Sequence, residues 1–313
     1  MILTPTKDLP ENFNLFLKHI IQEYSHYFGK YLDEYLPLLN PETYLQLLKK
    51  NNIECLLGSF PEKNPSALII SSCNTTNTRR EIILLQYLKG NNPEEFYRLM
   101  EGLVQFWKSH HIQEIIFDIP TIPNLHLPEI LCPLSFQIVP RLIMVKEQDK
   151  DHLTKIKDKN IHPLSSNNFS SIISCLQSAY EHIPWKYLHP EIYDSYDAYE
   201  FLQNLIYIQN NTSFPTGFQY KQKEQSVGII LGNLTGNKSA TLFHLAVHPS
   251  YRRQGIATIL LQKWCQVLFH RGIKNIFLWT QFGNPALKLY LKQNFHPLYT
   301  YPACYYSPQK VLS

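Results

Sequence analysis

The stretch HPSYRRQGIATILL, from His248 to Leu261, sets a glycine directly behind two arginines and directly ahead of an apolar run with helical spacing, in a chain with only 11 glycines in 313 residues. A β-like run, SATLFHLAVH, leads into it. Read as strand, turn and helix, the segment presents the first amides of a helix, which have no intrahelical partners, at the positive end of the helix dipole. Glycine lets a bulky group reach the backbone, and Arg252 and Arg253 add charge. The physical expectation is a phosphate or pyrophosphate seat.

Working outward, a strand NIFLWT, a helix NPALKLYLKQN and a terminal strand pair around HPLYTYPACYYS follow the opening helix. Upstream, IHPL reads as a short strand, SNNFSSIISCLQSAYE and DAYEFLQNLIYIQ as helices, and FPTGFQYK, QSVGIILGNL and SATLFHLAVH as successive strands. The result is a mixed α/β domain over 161–313. The charged segment EQDKDHLTKIKDKN, Glu147 to Asn160, has little to bury, and 149–160 is the expected linker to a first domain over 1–148.

That first half opens with a helical stripe of Phe13, Phe16, Ile20, Tyr24 and Tyr27. It continues through strands ECLLGSF, SALIISS and EIILLQYL, a helix from Pro93 to Ser109, and strands QEIIFDIP and SFQIVPRLIMVKE. HHIQEIIF, from His110, aligns without gaps on RGIKNIFL, from Arg271, at an offset of 161, pairing Ile112 with Ile273 and Ile115 with Ile276. The strand-helix-strand core reads as duplicated.

The residues Val247-x-Pro249-x-x-Arg252-Arg253-Gln254-Gly255-Ile256-Ala257 resemble motif A of the GNAT superfamily, the acyl-CoA-dependent N-acyltransferases, with Arg252, Gly255 and Ala257 at signature positions. Twenty-seven residues after Ala257, the run Asn284-Pro-Ala-Leu-Lys-Leu-Tyr290-Leu-Lys-Gln-Asn294-Phe295 resembles motif B. Asn284 suits a helix cap and Pro285 the first helical position. Asn294 stands where the family usually has glycine, and asparagine is the next-best residue for a left-handed helix stop.

The resemblance implies an α/β fold of the α+β type: two tandem GNAT-like domains, each a central mixed, mostly antiparallel sheet flanked by helices. It implies acetyl-CoA as cosubstrate and transfer of its acetyl group to a small-molecule or peptide amine. Leu245, Ala246 and Val247 would meet the pantetheine arm, and Arg252, Arg253, Gln254, Gly255, Ile256, Ala257 and Thr258 the pyrophosphate. Asn284 would lie near the arm, and Tyr290 would protonate the departing thiolate. Attack by an amine on a thioester needs positioning, carbonyl polarisation and a base, and no metal.

The base is less legible. The family's catalytic strand positions map to Thr241 and Phe243, neither of which takes a proton. His244 is next to them, but strand alternation turns it to the face opposite Phe243 unless a bulge intervenes. The loop AYEHIPWKYLHPEIYD offers Glu181, His182, Glu191 and Asp194, with Tyr180, Trp185 and Tyr187 to shape an acceptor pocket. Glu181 and His244 are the candidate bases.

At the offset of 161 the phosphate turn falls on NNPEEF, Asn91 to Phe96. Charge is reversed and proline removes a donor, so this copy should not bind CoA. A tandem GNAT protein with one degenerate copy, monomeric with a pseudo-dimeric domain pair, is the expectation.

Composition agrees with this reading. A hydrophobic share of 44% with 17% charged residues, no long apolar run and a start, MILTPTKDLPENFNLF, without an export signal point to a cytoplasmic globular protein away from membranes. A net charge of +4 without a basic, aromatic-interleaved stripe argues against nucleic acid. Six scattered cysteines without a CxxC pair argue against a metal site. The rival readings are a non-catalytic acyl-CoA-binding or regulatory protein and a protein-interaction module.

Overall fold

The computed structural model describes residues 2–31, 41–50, 53–59, 66–74, 76–88, 92–119, 127–148, 156–235 and 238–307. The chain divides into two compact units, Met1–Arg141 together with Thr300–Ser313, and Leu142–Tyr299. Most of the expected linker, residues 149–155, lies outside the described residues.

In the first unit, strand β1 (Ile2–Thr6) precedes helix α1 (Phe13–Phe28), on which Phe13, Phe16, Ile20 and Tyr27 of the predicted stripe are buried. Helix α2 (Pro41–Leu48) and strands β2 (Ile53–Ser59), β3 (Ala67–Cys73) and β4 (Arg79–Tyr87) follow. Helix α3 has the predicted bounds, Pro93–Ser109, and leads to β5 (Glu114–Phe117), helix α4 (Leu127–Leu131) and β6 (Phe136–Glu147). Strands β1 to β4 pair antiparallel in sequence, and β4 pairs parallel with β5. Helix α3 lays Phe96, Leu99, Met100, Leu103 and Trp107 on Leu56, Ile69, Ile82 and Phe117, while α1 covers Cys55, Leu68 and Ile70 on the other face. Each large side chain so buried contributes roughly 1.5–3 kcal/mol.

In the second unit β7 (Ile161–Pro163), helices α5 (Phe169–Tyr180), α6 (Pro190–Tyr193) and α7 (Ser195–Thr212), and strands β8 (Gly217–Gln222), β9 (Gln225–Leu234) and β10 (Ser239–Val247) precede helix α8 (Ile256–His270). Then come β11 (Asn275–Gln281), helix α9 (Leu287–Lys292) and β12 (His296–Tyr306). Strands β7 to β10 pair antiparallel and β10 pairs parallel with β11. Ile256, Leu260, Leu261, Trp264 and Leu268 of α8 pack on Ile230, Ala240, Leu242 and Leu278; α5, α6 and α7 cover Ile229, Leu231 and Ala246 on the opposite face. Gly232 permits this closeness, because a Cβ there would stand 2.4 Å from both the Thr241 carbonyl oxygen and the Trp264 ring.

The helix ends repeat as the ungapped alignment requires. Helix α3 stops at His111 (φ 63°), where the Ile112 amide donates to Trp107 O, and α8 stops at Gly272 (φ 78°), where the Ile273 amide donates to Leu268 O. These are equivalent left-handed caps.

Two readings of the C-terminal region change. HPLYTYPACYYS forms one strand rather than a pair: Tyr301, Ala303, Cys304, Tyr305 and Tyr306 are buried, which outweighs the ladder donors lost at Pro297 and Pro302. From Thr300 onward this strand belongs to the first unit, between β5 and β6, with Cys304, Tyr305 and Tyr306 opposite Phe117, Ile116 and Ile115. The Tyr301 hydroxyl donates to Asp118 (2.6 Å), beside Arg141 (3.2 Å), and Tyr305 donates to Glu114 (2.9 Å). Conversely, Leu142–Glu147 of β6 belong to the second unit and lie next to β11. The compact units therefore differ from the sequential division 1–148 and 161–313.

Candidate functional site

The turn between β10 and α8 takes two left-handed residues, Arg253 (φ 65°) and Gly255 (φ 81°). No side chain caps α8, and the first intrahelical bond runs from the Ile259 amide to Gly255 O. The amides of Ile256, Ala257 and Thr258 thus have no intrahelical acceptor, and nothing lies within 4 Å of where a Cβ on Gly255 would be. Gln254 and Arg253 are exposed beside this opening. Arg252 behaves differently from its sequence reading. Its guanidinium donates to Val247 O (Nε, 3.2 Å) and to Ala179 O (Nη2, 2.9 Å), tying the turn to the carbonyl end of α5.

The neighbouring strands open at the same end. The β10–β11 ladder runs only from Ser239–Asn275 to Leu242–Leu278, although β10 continues to Val247 and β11 to Gln281. Backbone groups of Leu245, Ala246 and Val247 therefore pair with β9 on one side and leave the other edge beyond that ladder. Past β11, Asn284 Oδ1 accepts from the Ala286 amide (2.9 Å) in the turn ahead of α9, but the helix starts later than expected, at Leu287, with Ala286 and not Asn284 at its N-cap and no side-chain cap bond. Asn294 is left-handed (φ 62°); the Phe295 amide donates to Tyr290 O and the Asn294 amide to Leu291 O, completing the expected stop. That stop packs Phe295 against Tyr290, ring centroids 5.8 Å apart, and buries Tyr290. Burial pushes the Tyr290 phenol well above the ordinary tyrosine range.

The ladder with β9 shifts between Leu242 and His244, so Phe243 is a bulge. Ala240 and Leu242 face α8, and beyond the bulge Leu245 and Val247 face it again, whereas Ala246 packs under α5. The extra residue turns His244 to the Ala246 side, against the plain alternation of the sequence. There its imidazole is 2% exposed, edge-on to Phe201, Tyr180 and His189. Tyr180 Oη lies 3.4 Å from His244 Nδ1, and Glu191 Oε1 lies 3.0 Å from Nε2 and 3.4 Å from His189 Nδ1. Burial alone would raise the Glu191 carboxyl, but the two imidazoles outweigh it and hold the group well below the usual carboxylate range. Among the described residues, His189, Glu191 and His244 are the one group with metal-ligand spacing, their ligand atoms all within 4.8 Å of one another.

The other loop candidates fall elsewhere. Glu181 is exposed, 3.9 Å from the exposed His182. Asp194 caps α7 by accepting from the Tyr196 and Asp197 amides. Sequence reasoning named Glu191 without its partner and passed over His189; the His-Pro-Glu spacing was visible, the bulge that completes the group was not. A cavity of about 550 Å³ lies in the first unit, lined by Lys7, Glu54, Cys73, Asn77 and Arg80 among others, and contains no motif residue.

The corresponding helix start in the first unit is built differently. Residues 88–92 join β4 to α3, five where 248–255 supply eight. The helix starts thus correspond at Asn92 and Gly255, not at the offset of 161. Asn92 Oδ1 accepts from the Glu94 and Glu95 amides (3.1 and 3.2 Å), occupying donors that a phosphate would need. Glu95 in turn accepts a bond from the Tyr87 hydroxyl.

Residues 176–295 match the model of the acetyltransferase (GNAT) family. No curated protein matches the chain. Among solved structures it is similar to a GCN5-related N-acetyltransferase from Sphaerobacter thermophilus, with TM-score 0.61 and 14% identity over 97% of this chain and 95% of that one. It is also similar to a tandem GNAT protein from the clavulanic acid biosynthesis pathway, with TM-score 0.57 and 10% identity over 99% of this chain and 100% of that one. A third similarity is to a GCN5-related glucosamine N-acetyltransferase region in a fungal multi-domain GH3 beta-N-acetylglucosaminidase, with TM-score 0.63 and 11% identity over 97% of this chain and 38% of that one. Residues 176–295 form a domain of the GNAT acetyltransferase family, in a chain with the fold of tandem GNAT proteins.

Proposed function

We propose that the second unit transfers an acetyl group from acetyl-CoA to a primary amine by direct attack in a ternary complex. The observation that carries this reading is the uncapped start of α8, with left-handed Gly255, at the end where β10 and β11 part. The pyrophosphate would take the amides of Ile256 to Thr258, with Arg253 alongside, and the pantetheine arm the edge of Leu245 to Val247 near Asn284.

In the reaction the amine nitrogen bonds to the thioester carbon and the carbon–sulfur bond breaks. Tyr290 gives its proton to the departing thiolate. The proton lost by the amine passes to His244, whose imidazolium the ionised Glu191 stabilises. Because His244 is buried, that proton enters through the partly exposed His189 and Glu191.

Release of CoA from acetyl-CoA in the presence of an amine panel tests the reading. Tyr290→Phe should lower kcat by about 10²–10⁴-fold while leaving CoA affinity intact. Saturable CoA binding with no release on any amine would replace the enzyme by an acyl-CoA sensor.

A further inference from the structure

We infer that His189, Glu191 and His244 form a binding site for a divalent transition-metal ion of the Zn²⁺ class, with one coordination position left open. Three donors from two pieces of chain converge: His189 from the residue preceding α6 and Glu191 from within it, and His244 from the bulged strand. The separations from Glu191 Oε1, 3.4 Å to His189 Nδ1 and 3.0 Å to His244 Nε2, compare with the edge of about 3.3 Å expected between ligands of a tetrahedral ion with bonds of about 2.0–2.1 Å.

The surroundings of the His244 ring suit such a site. Nε2 of His244 is fully buried and has no aligned hydrogen-bond partner, although Glu191 Oε1 is only 3.0 Å away. Tyr180 Oη stands on the opposite ring nitrogen, 3.4 Å from Nδ1. With the ring proton on Nδ1, directed at the tyrosine oxygen, Nε2 presents a lone pair to a carboxylate oxygen. A cation between two electron-pair donors so close, a metal ion in place of the Nε2 proton, removes their repulsion. A second group on the far nitrogen is also the usual arrangement around a metal-bound histidine, where it fixes the tautomer. Two imidazoles and one carboxylate suit Zn²⁺ and its first-row neighbours better than Mg²⁺ or Ca²⁺, which prefer all-oxygen sites.

Occupancy has a consequence that rests on the catalytic reading above: the ion takes the Nε2 lone pair that would accept the amine's proton, so metal and acyl transfer compete. The site and that consequence are separable by experiment. Metal-stripped full-length protein is titrated with ZnCl₂ by calorimetry, and CoA release is followed on the same samples. One equivalent of Zn²⁺ should bind per chain, at least tenfold more weakly in His189→Asn and in Glu191→Gln. His189 and Glu191 are partly exposed, so these variants can be confirmed folded by thermal melting even if the buried His244→Asn is not. Absence of a stoichiometric site at micromolar Zn²⁺, or binding equal to wild type in both variants, overturns the inference. One bound equivalent that leaves CoA release unchanged upholds the metal site and refutes His244 as the base.

Discussion

The phosphate seat can be tested by separating two roles of one glycine. Gly255 has φ 81° and ψ −2°, and a Cβ built on it meets nothing within 4 Å. Alanine there suffers no clash, only the left-handed conformation, which costs about 1–2 kcal/mol. For a unit of this size the melting temperature should fall by about 2–4 °C per kcal/mol. Asparagine tolerates the same conformation far better, so Gly255→Asn should melt close to wild type. Both variants nevertheless place a side chain where the bare backbone would receive the pyrophosphate. Calorimetric titration with CoA should therefore show Kd raised at least tenfold, about 1.4 kcal/mol or more, in both variants. If Gly255→Asn binds CoA as wild type does, strain rather than space explains the glycine. If both variants bind normally, the seat is elsewhere and the reading of the turn is wrong.

Gly232→Ala should be among the most damaging substitutions in the second unit, since its Cβ would meet backbone at Thr241 O and the fully buried Trp264 ring at 2.4 Å; a loss of about 1–3 kcal/mol or more is expected in chemical denaturation. Glu23 provides a pH test of the first unit. Burial pushes its carboxyl up to about 7 against the opposing pull of the Gln86 amide, so the folded state favours the protonated form. Its stabilisation is complete below the ordinary value of 4.5 and is lost as pH rises through about 7. Urea melts from pH 4.5 to 8 should show that decline, and Glu23→Gln should flatten it. Truncation tests the exchange of strand segments: a fragment 1–148 lacks Thr300–Tyr306, and a fragment 161–313 lacks Leu142–Glu147. Neither should give a cooperative melt alone, and a sharp transition from fragment 1–148 would show that the terminal segment is dispensable to the first unit.

The sequence by itself determined the features whose causes are local. A glycine between charged residues and an apolar helix specifies an open helix start, Asn294 a left-handed stop, and Asn92-Pro93-Glu94-Glu95 a self-satisfied one, because capping depends on residues within a turn of each other. The bounds of α3 and the repeated junction at Ile112 and Ile273 were legible for the same reason. Only the tertiary structure decided which side His244 faces. A single bulged residue reverses the pattern of a strand, and SATLFHLAVH carries no mark of where its partner β9 slips. Glu191 likewise became a partner of His244 only when α6 folded over that face. Strand β6 reads as one apolar run and β12 as a strand pair, and nothing along either stretch tells which unit its two ends will join. Their division between units is set by the partners that cover them, Phe117 and Asp118 for one end of β12 and the second unit for the other, and those partners are distant in sequence.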